Sequence, residues 1–346
     1  MQRAPQSKRL DGPTGTRLAT HNVSEASRQR ALETLLAGFS ANRFLNEFYG
    51  RLPLHVASAN RRRFESLIHW AELERLLNMV GCWMTPGLRL VAEGRRLSPE
   101  QYCFARTGTD NEARVWRPQP ERVMAAMNAG ATLVLNGLDG LVPAIGATAH
   151  DLEVSLNVRV QSNLYLSRRG QRGLPLHYDV HDVLALQISG QKHWRLYQNP
   201  AHPGARVPPE RELRARAGPV SQTIHLSAGD LLYLPAGVVH EAIAASDHSM
   251  HLTLALKQVT LLDVASLMMK QLAASNDAST PRYDLHLGRD ALASHAAQLA
   301  ERFATLAADP TATAAMLADI EANRLPRGQY LLGPARPQPE LNDSSD

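Results

Sequence analysis

Between Glu25 and Gly81 apolar residues recur every three or four positions, with Leu32, Leu35 and Leu36 on one face and a second run in "FESLIHWAELERLLNMVG". That spacing predicts helices. From about Arg89 to Lys257 the period falls to two, in runs such as "TLVLNGL", "LNVRVQSNLYL", "DVLALQI", "HWRLY", "DLLYLPAG" and "HLTLAL", and these predict strands. After Lys257 the helical period returns. Leu261, Val264, Met268 and Leu272 stack in one helix, Leu292, Leu299, Phe303 and Leu306 align in a second before Pro310, and a short third helix is expected to carry Leu317 and Ile320. Strands separated by turns, with no helices between them, predict an antiparallel sandwich or jelly roll and not a parallel α/β sheet. The expected protein is mainly β with flanking helices and a C-terminal helical bundle.

Composition sharpens the boundaries. Residues 1–28 are rich in Ser, Thr, Gly and Arg, and residues 334–346 read "PARPQPELNDSSD"; both are expected to be disordered tails. Residues 29–258 then form the main domain with its helical N-terminal part, and residues 259–333 a helical region. At 346 residues the chain buries enough surface to need no disulfide scaffold. Its two cysteines, Cys82 and Cys103, are not clustered and are expected to be free thiols of a reducing compartment. With no apolar signal region and no run of the ~20 apolar residues a membrane span needs, a soluble cytoplasmic protein is expected. A net charge of +4 is small for the length, and without an aromatic-plus-basic motif no nucleic-acid partner is expected.

The chemistry concentrates in "LPLHYDVHDVLALQISGQKHWRLY", Leu174 to Tyr197. On a strand, residues two apart share a face, so His177 and Asp179 look one way and Tyr178 the other. A buried carboxylate needs a partner, and a metal supplies one. A third ligand is available in "GDLLYLPAGVVHEA": His240 lies 240 − 177 = 63 residues beyond His177, enough chain for several strands to wind round and bring both imidazoles to one point. His-x-Asp…His is the 2-His-1-carboxylate set, which occupies one face of an octahedral metal and leaves three positions open; it leans towards Fe(II) without excluding other divalent ions.

These residues, together with "FLNEFYGRLPLHV", "FESLIHWAELERLL", "AGATLVLNGLDGL", "SNLYLSRRGQRGLPLHYD", "QISGQKHWRLY" and "LYLPAGVVHEA", resemble the JmjC branch of the cupin superfamily, and most of all its ribosomal oxygenase subgroup. The resemblance runs from about Phe44 to Lys257. It implies a double-stranded β-helix, a catalytic iron site of His177, Asp179 and His240, and the cofactors Fe(II), 2-oxoglutarate and O2. It makes Lys192, fifteen residues after His177, the cation for the distal carboxylate of 2-oxoglutarate. Asn163 matches a position near the co-substrate and Tyr165 one lining the substrate channel. The implied activity is that of a 2-oxoglutarate-dependent dioxygenase hydroxylating an arginine or histidine side chain of a protein or peptide. The C-terminal helices resemble the family's dimerisation bundle, so a homodimer is expected, while too little chain follows for the family's usual winged-helix domain.

The basic "RRGQR" loop and the Val180-His181-Asp182 segment depart from the family pattern at the border of the channel. Arg168, Arg169 and Arg172 are either a solvated loop or a rim that attracts an acidic partner. Taken singly, His181, His193, His202, His225, His248, His251, His286 and His295 read as surface or satisfied histidines, with His251, on a strand after His240, the one that could also lie near the site; Trp194 and Tyr197 read as sheet-packing aromatics. Two other functions remain open: hydroxylation of a free amino acid or natural product, and a non-catalytic cupin that binds a metal or metabolite.

Overall fold

A computed structural model describes residues 25–106, 115–202, 208–274 and 288–322. The tail segments 1–24 and 334–346 lie outside the described residues, as does His286. Helix α1 (Glu25–Leu35) buries Leu32, and Leu36 just past its end is buried as well. Ser40 then accepts a hydrogen bond from the Arg43 N–H and starts α2 (Ala41–Arg43), which runs into a π-helical turn at Phe44–Phe48. Helical structure does not continue to Gly81. Pro53 disfavours it, and the alternating Leu54-His55-Val56 forms strand β1 (Leu54–Val56) with both apolar residues buried. The "RRRFESL" segment runs as turns, so the next helix, α3 (Trp70–Asn78), begins only where the His69 ring accepts from the Glu72 N–H.

The β region opens with β2 (Leu88–Ala92), β3 (Arg95–Arg96), α4 (Pro99–Tyr102), β4 (Cys103–Arg106) and β5 (Val115–Pro118). It continues through α5 (Pro120–Asn128), β6 (Thr132–Asn136), α6 (Pro143–Leu156), β7 (Arg159–Arg168), β8 (Asp182–Ser189), β9 (Gln191–Tyr197) and α7 (Glu210–Arg216). The last strands are β10 (Val220–Ser227), β11 (Leu231–Leu234), β12 (His240–Ala244) and β13 (His248–Lys257). The expectation of no helices among the strands is corrected by α4, α5, α6 and α7. Each is short or built from small residues: α6 buries Ile145, Ala149 and Leu152, a helical stripe too weakly apolar to stand out in "PAIGATAHDLEVSL".

The strands form a major sheet in the order β1-β11-β8-β13-β7-β6-β2-β3, a minor sheet β10-β9-β12 and a separate pair β4-β5. All pairings are antiparallel. The two larger sheets face each other as the walls of a double-stranded β-helix. Alternation divides the major sheet cleanly. Leu164, Leu166, Leu252 and Leu254 point into the large core shared with the helices, whereas Asn163, Tyr165, His251 and Thr253 line the space towards the minor sheet. Between β8 and β9 the chain turns at Gly190, whose φ of +70° suits glycine and where a Cβ would lie 2.0 Å from the His248 carbonyl oxygen.

The C-terminal region forms α8 (Leu261–Ala274), α9 (Gly288–Ala308) and α10 (Pro310–Ala322), as the periodicity predicts. Among the described residues no helix is long and apolar enough to cross a membrane. Cys82 is exposed, Cys103 is buried, and both are free thiols.

A buried polar network ties the N-terminal segment to the barrel. The Tyr233 hydroxyl donates to Asp182 Oδ2 at 2.5 Å and accepts from the Gly50 N–H at 2.7 Å, while Asp182 Oδ1 accepts from the Ala236 N–H at 2.8 Å. Removing the hydroxyl strands a buried carboxylate oxygen and a backbone donor together. Tyr233→Phe is therefore expected to lower unfolding free energy by about 1–3 kcal/mol in urea titrations; a change below about 0.5 kcal/mol would refute the role given to this network.

Candidate metal and co-substrate site

The chain leading into β8 is extended at His177 but is not part of a long strand. His177 makes a single antiparallel bridge to His240, in which His177 N–H donates to the His240 carbonyl at 3.1 Å and His240 N–H to the His177 carbonyl at 2.8 Å. The Gly237 N–H donates to the Asp179 carbonyl at 2.9 Å in the same junction. The regular strand β8 starts three residues after Asp179, so it is this bridge, not a strand running through His177 and Asp179, that places the pair.

The bridge brings the two imidazole centroids to 4.3 Å and leaves His240 Nε2 3.8 Å from Asp179 Oδ2. One ligand atom from each of His177, Asp179 and His240 lies within 4.8 Å of the others. Both rings are oriented alike: His177 Nδ1 lies 2.8 Å from the Pro175 carbonyl and His240 Nδ1 2.8 Å from the Val238 carbonyl. A carbonyl only accepts, so Nδ1 carries the proton and Nε2 presents its lone pair towards the partners. Burial, and then His177, lowers the His240 pKa to about 4, which keeps the ring in the neutral form a metal needs. The donor set therefore fits a divalent metal, with Asp179 as its single anionic ligand.

The three residues open into a cavity of about 270 Å³ that also contains Asn163, Tyr165 and Lys192. Lys192, on β9, is 1% exposed, and its ammonium lies 3.2 Å from His251 Nδ1 and 3.4 Å from Ser167 Oγ. Both contacts are uncharged, because burial and the neighbouring Lys192 hold the His251 pKa well below its usual range. Among the described residues no carboxylate pairs with Lys192. A buried cation and a metal triad lining one cavity fit a dicarboxylate that chelates through one end. Asn163 adds a buried amide oxygen with no hydrogen-bond partner. Tyr165 stacks on His251 with centroids 4.7 Å apart, and burial and the Asp179 carboxylate push its hydroxyl up to about 12.

Four cavity residues differ from their sequence reading or had none. His251 and His181 line the cavity instead of the surface, and Trp194 is not simply sheet packing: its ring stacks on His240 at 5.6 Å and its buried Nε1 donates to nothing. Arg89, from β2, also lines the cavity. The period-two pattern places each on the inner face, but neighbours across the sheets decide that this face is a cavity.

Arg168 does not reach the cavity and donates to Asn128 Oδ1 at 2.7 Å. Arg169 pairs with Asp247 at 2.9 Å, and Arg172 with Glu210 at 2.7 Å and Glu241 at 3.5 Å. Buried Glu241 also binds Arg214 and accepts from the Tyr197 hydroxyl at 2.6 Å, so Tyr197 is a polar partner as well as a packing ring. The basic rim is thus largely neutralised within the protein.

Residues 146–264, which span the cavity walls, match the JmjC domain family. The chain is similar to ribosomal oxygenase 1 of Rattus norvegicus, 29% identical over 256 residues that cover 72% of this chain and 41% of the relative. It is also similar to the bifunctional lysine-specific demethylase and histidyl-hydroxylase NO66 of Dictyostelium discoideum, 26% identical over 245 residues, 68% of this chain and 45% of the relative. The chain spans less than half the length of these curated relatives. Its fold is similar to that of YcfD, a ribosomal oxygenase from Escherichia coli solved in complex with cobalt and 2-oxoglutarate, with a TM-score of 0.56 and 18% identity over 86% of this chain and 74% of that one.

Burial pushes the Lys192 ammonium down from 10.5 to about 7. The folded-state pKa lies below the unfolded one, so the cost of burying the cation is fully present below about pH 7 and fades as pH rises towards 10.5. In the metal- and co-substrate-free protein, Lys192→Met is expected to raise the melting temperature by several degrees near pH ~6 and by progressively less towards pH ~10. A gain independent of pH would show that the ammonium is not the cause.

Proposed function

We propose that the chain is a JmjC-domain oxygenase of the ribosomal oxygenase subgroup, an Fe(II)- and 2-oxoglutarate-dependent dioxygenase that hydroxylates an arginine or histidine side chain of a protein or peptide. The observation that carries this reading is the pairing, in one cavity, of the His177, Asp179 and His240 triad with a buried Lys192 that has no carboxylate partner among the described residues.

In this reading His177, Asp179 and His240 hold the iron by one face, and Lys192 holds the distal carboxylate of 2-oxoglutarate, with Ser167 and His251 fixing its ammonium. Iron, 2-oxoglutarate and O2 together supply the oxidising power that no side chain has. The chain's own contribution is geometry. The carbonyls of Pro175 and Val238 keep both Nε2 atoms free of protons, and Trp194 packs against the His240 ring. Asn163 offers an amide to the bound co-substrate, and Tyr165 shapes the path by which a substrate side chain enters.

We further propose a homodimer formed through the C-terminal helices. Leu261 and Leu262 are 88% and 79% exposed at the start of α8, and Met269, Leu292 and Leu299 add to the uncovered apolar surface. Light scattering of the full chain at micromolar concentration is expected to give the mass of two chains, and removal of everything after Val259 to abolish that species. A monomeric full chain would rule out the dimer.

The enzymatic reading is tested by anaerobic titrations of Fe(II) and then 2-oxoglutarate. Asp179→Ala, which removes the only anionic ligand, is expected to lose tight iron binding while the barrel stays folded. Lys192→Ala is expected to weaken 2-oxoglutarate binding by roughly 10- to 150-fold, the worth of one charge-assisted hydrogen bond, with iron affinity little changed. Full iron occupancy in Asp179→Ala, or unchanged 2-oxoglutarate affinity in Lys192→Ala, would sink the assignment of that residue. With both sites filled and oxygen admitted, a peptide or cell-extract substrate should gain the mass of one oxygen atom.

A further inference from the structure

The cavity holds two basic side chains, and only Lys192 has a place in the reading above. Arg89 comes from β2, on the far side of the major sheet. The register sets Arg89 opposite Val134, Val134 opposite Tyr165, and Tyr165 opposite His251, so these four form one row across the sheet on the side that faces the cavity. The row has two ends of different character. At one end the Tyr165 ring stacks on His251, which is in turn bonded to Lys192; at the other, the Arg89 guanidinium sits beside the Tyr165 hydroxyl. Tyr165 thus stands between the two cations.

Arg89 has the Tyr165 hydroxyl as a hydrogen-bond partner but not the carboxylate that a buried guanidinium normally has. Its Nε is buried and donates to no acceptor, and among the described residues no carboxylate forms an ion pair with it. This contrasts with Arg169, Arg172 and Arg214 on the rim, each of which has a carboxylate within 3.0 Å. A half-buried guanidinium in this state is short of a counter-ion, and its rigid fork matches a carboxylate in two-point geometry. Among the described residues the cavity has one carboxylate, Asp179, which belongs to the metal set. A cationic side chain entering here would meet a like charge and no free anion.

We propose that Arg89 is a specificity-determining residue, whose guanidinium binds a carboxylate of the substrate peptide and disfavours an arginine at the target position. This rests on the oxygenase reading of the same cavity. It moves the selection for an acidic substrate from the rim, where Arg169 and Arg172 are already paired, to the wall of the channel. Between the two target residues carried over from the relatives it favours the uncharged imidazole.

The test uses the full chain loaded with Fe(II) and 2-oxoglutarate with oxygen excluded, and three pools of acetylated, amidated peptides with random flanks centred on Glu, His or Arg. Bound peptides are recovered and counted by mass spectrometry. The native protein is expected to retain the Glu-centred pool about tenfold or more over the Arg-centred pool, with the His-centred pool between them. Arg89→Gln should erase that preference and Arg89→Glu should reverse it, while 2-oxoglutarate affinity, measured on the same proteins, changes less than about twofold. The same peptide preference in native protein and Arg89→Gln would overturn the proposal. So would a loss of 2-oxoglutarate affinity in Arg89→Gln as large as that in Lys192→Ala, which would make Arg89 a co-substrate ligand. Native protein that binds no 2-oxoglutarate would overturn the oxygenase reading and this proposal with it.

Discussion

Two backbone hydrogen bonds between His177 and His240 hold the site together. They join the segment before β8 to the first residue of β12 and so connect the two walls at the mouth of the barrel. Each histidine then bonds through Nδ1 to the carbonyl two residues before it, Pro175 in one case and Val238 in the other. The same local arrangement on two antiparallel segments turns both Nε2 atoms inward and towards Asp179. Ligand geometry thus follows from main-chain pairing, which side-chain substitutions in the cavity leave in place.

Around that bridge the protein treats its buried polar groups in two ways. Away from the cavity the buried carboxylates are matched. Asp182 is satisfied by Tyr233 and the Ala236 N–H, and Glu241 by Arg214, Arg172 and Tyr197. Within it, the Lys192 ammonium has only neutral contacts, and Asn163 Oδ1, Trp194 Nε1 and Arg89 Nε have none. Unpaired buried polar groups are costly and rare, and three of them line this one cavity. Such a concentration is what a fold carries where ligands complete the hydrogen bonding. A ligand that returns what the walls leave open would bring anions or carbonyls to Lys192 and Arg89 and a donor to Asn163.

The β architecture, the convergence of His177, Asp179 and His240 and the three C-terminal helices were legible in the chain because each rests on local pattern or short motif, whereas Lys192 was singled out by the family resemblance. Strand periodicity places Asn163, Tyr165 and Lys192 on inward faces, and a helical stripe needs no partner to be seen. Helices α4, α5 and α7 escaped because they are short, α6 because its small residues give little contrast between faces, and β1 because three residues are too few to show a period. Trp194, His181 and His251 looked like ordinary packing or surface residues, since nothing local distinguishes an inner face that is filled from one that is hollow. Arg168 was the converse case, a basic residue near the motif whose neighbour Asn128 takes it away from the cavity.

By itself, then, the sequence determined which residues could share a face and which residue types could bind a metal and a dicarboxylate, because side-chain direction alternates along a strand whatever the strand's neighbours are. Only the tertiary structure decided which faces meet. Arg89 and His251 are 162 residues apart in the chain, yet they belong to one row through Val134 and Tyr165. That row is set by the register of four strands, and register depends on turns and on core packing summed over the whole sheet, which no short stretch of sequence contains.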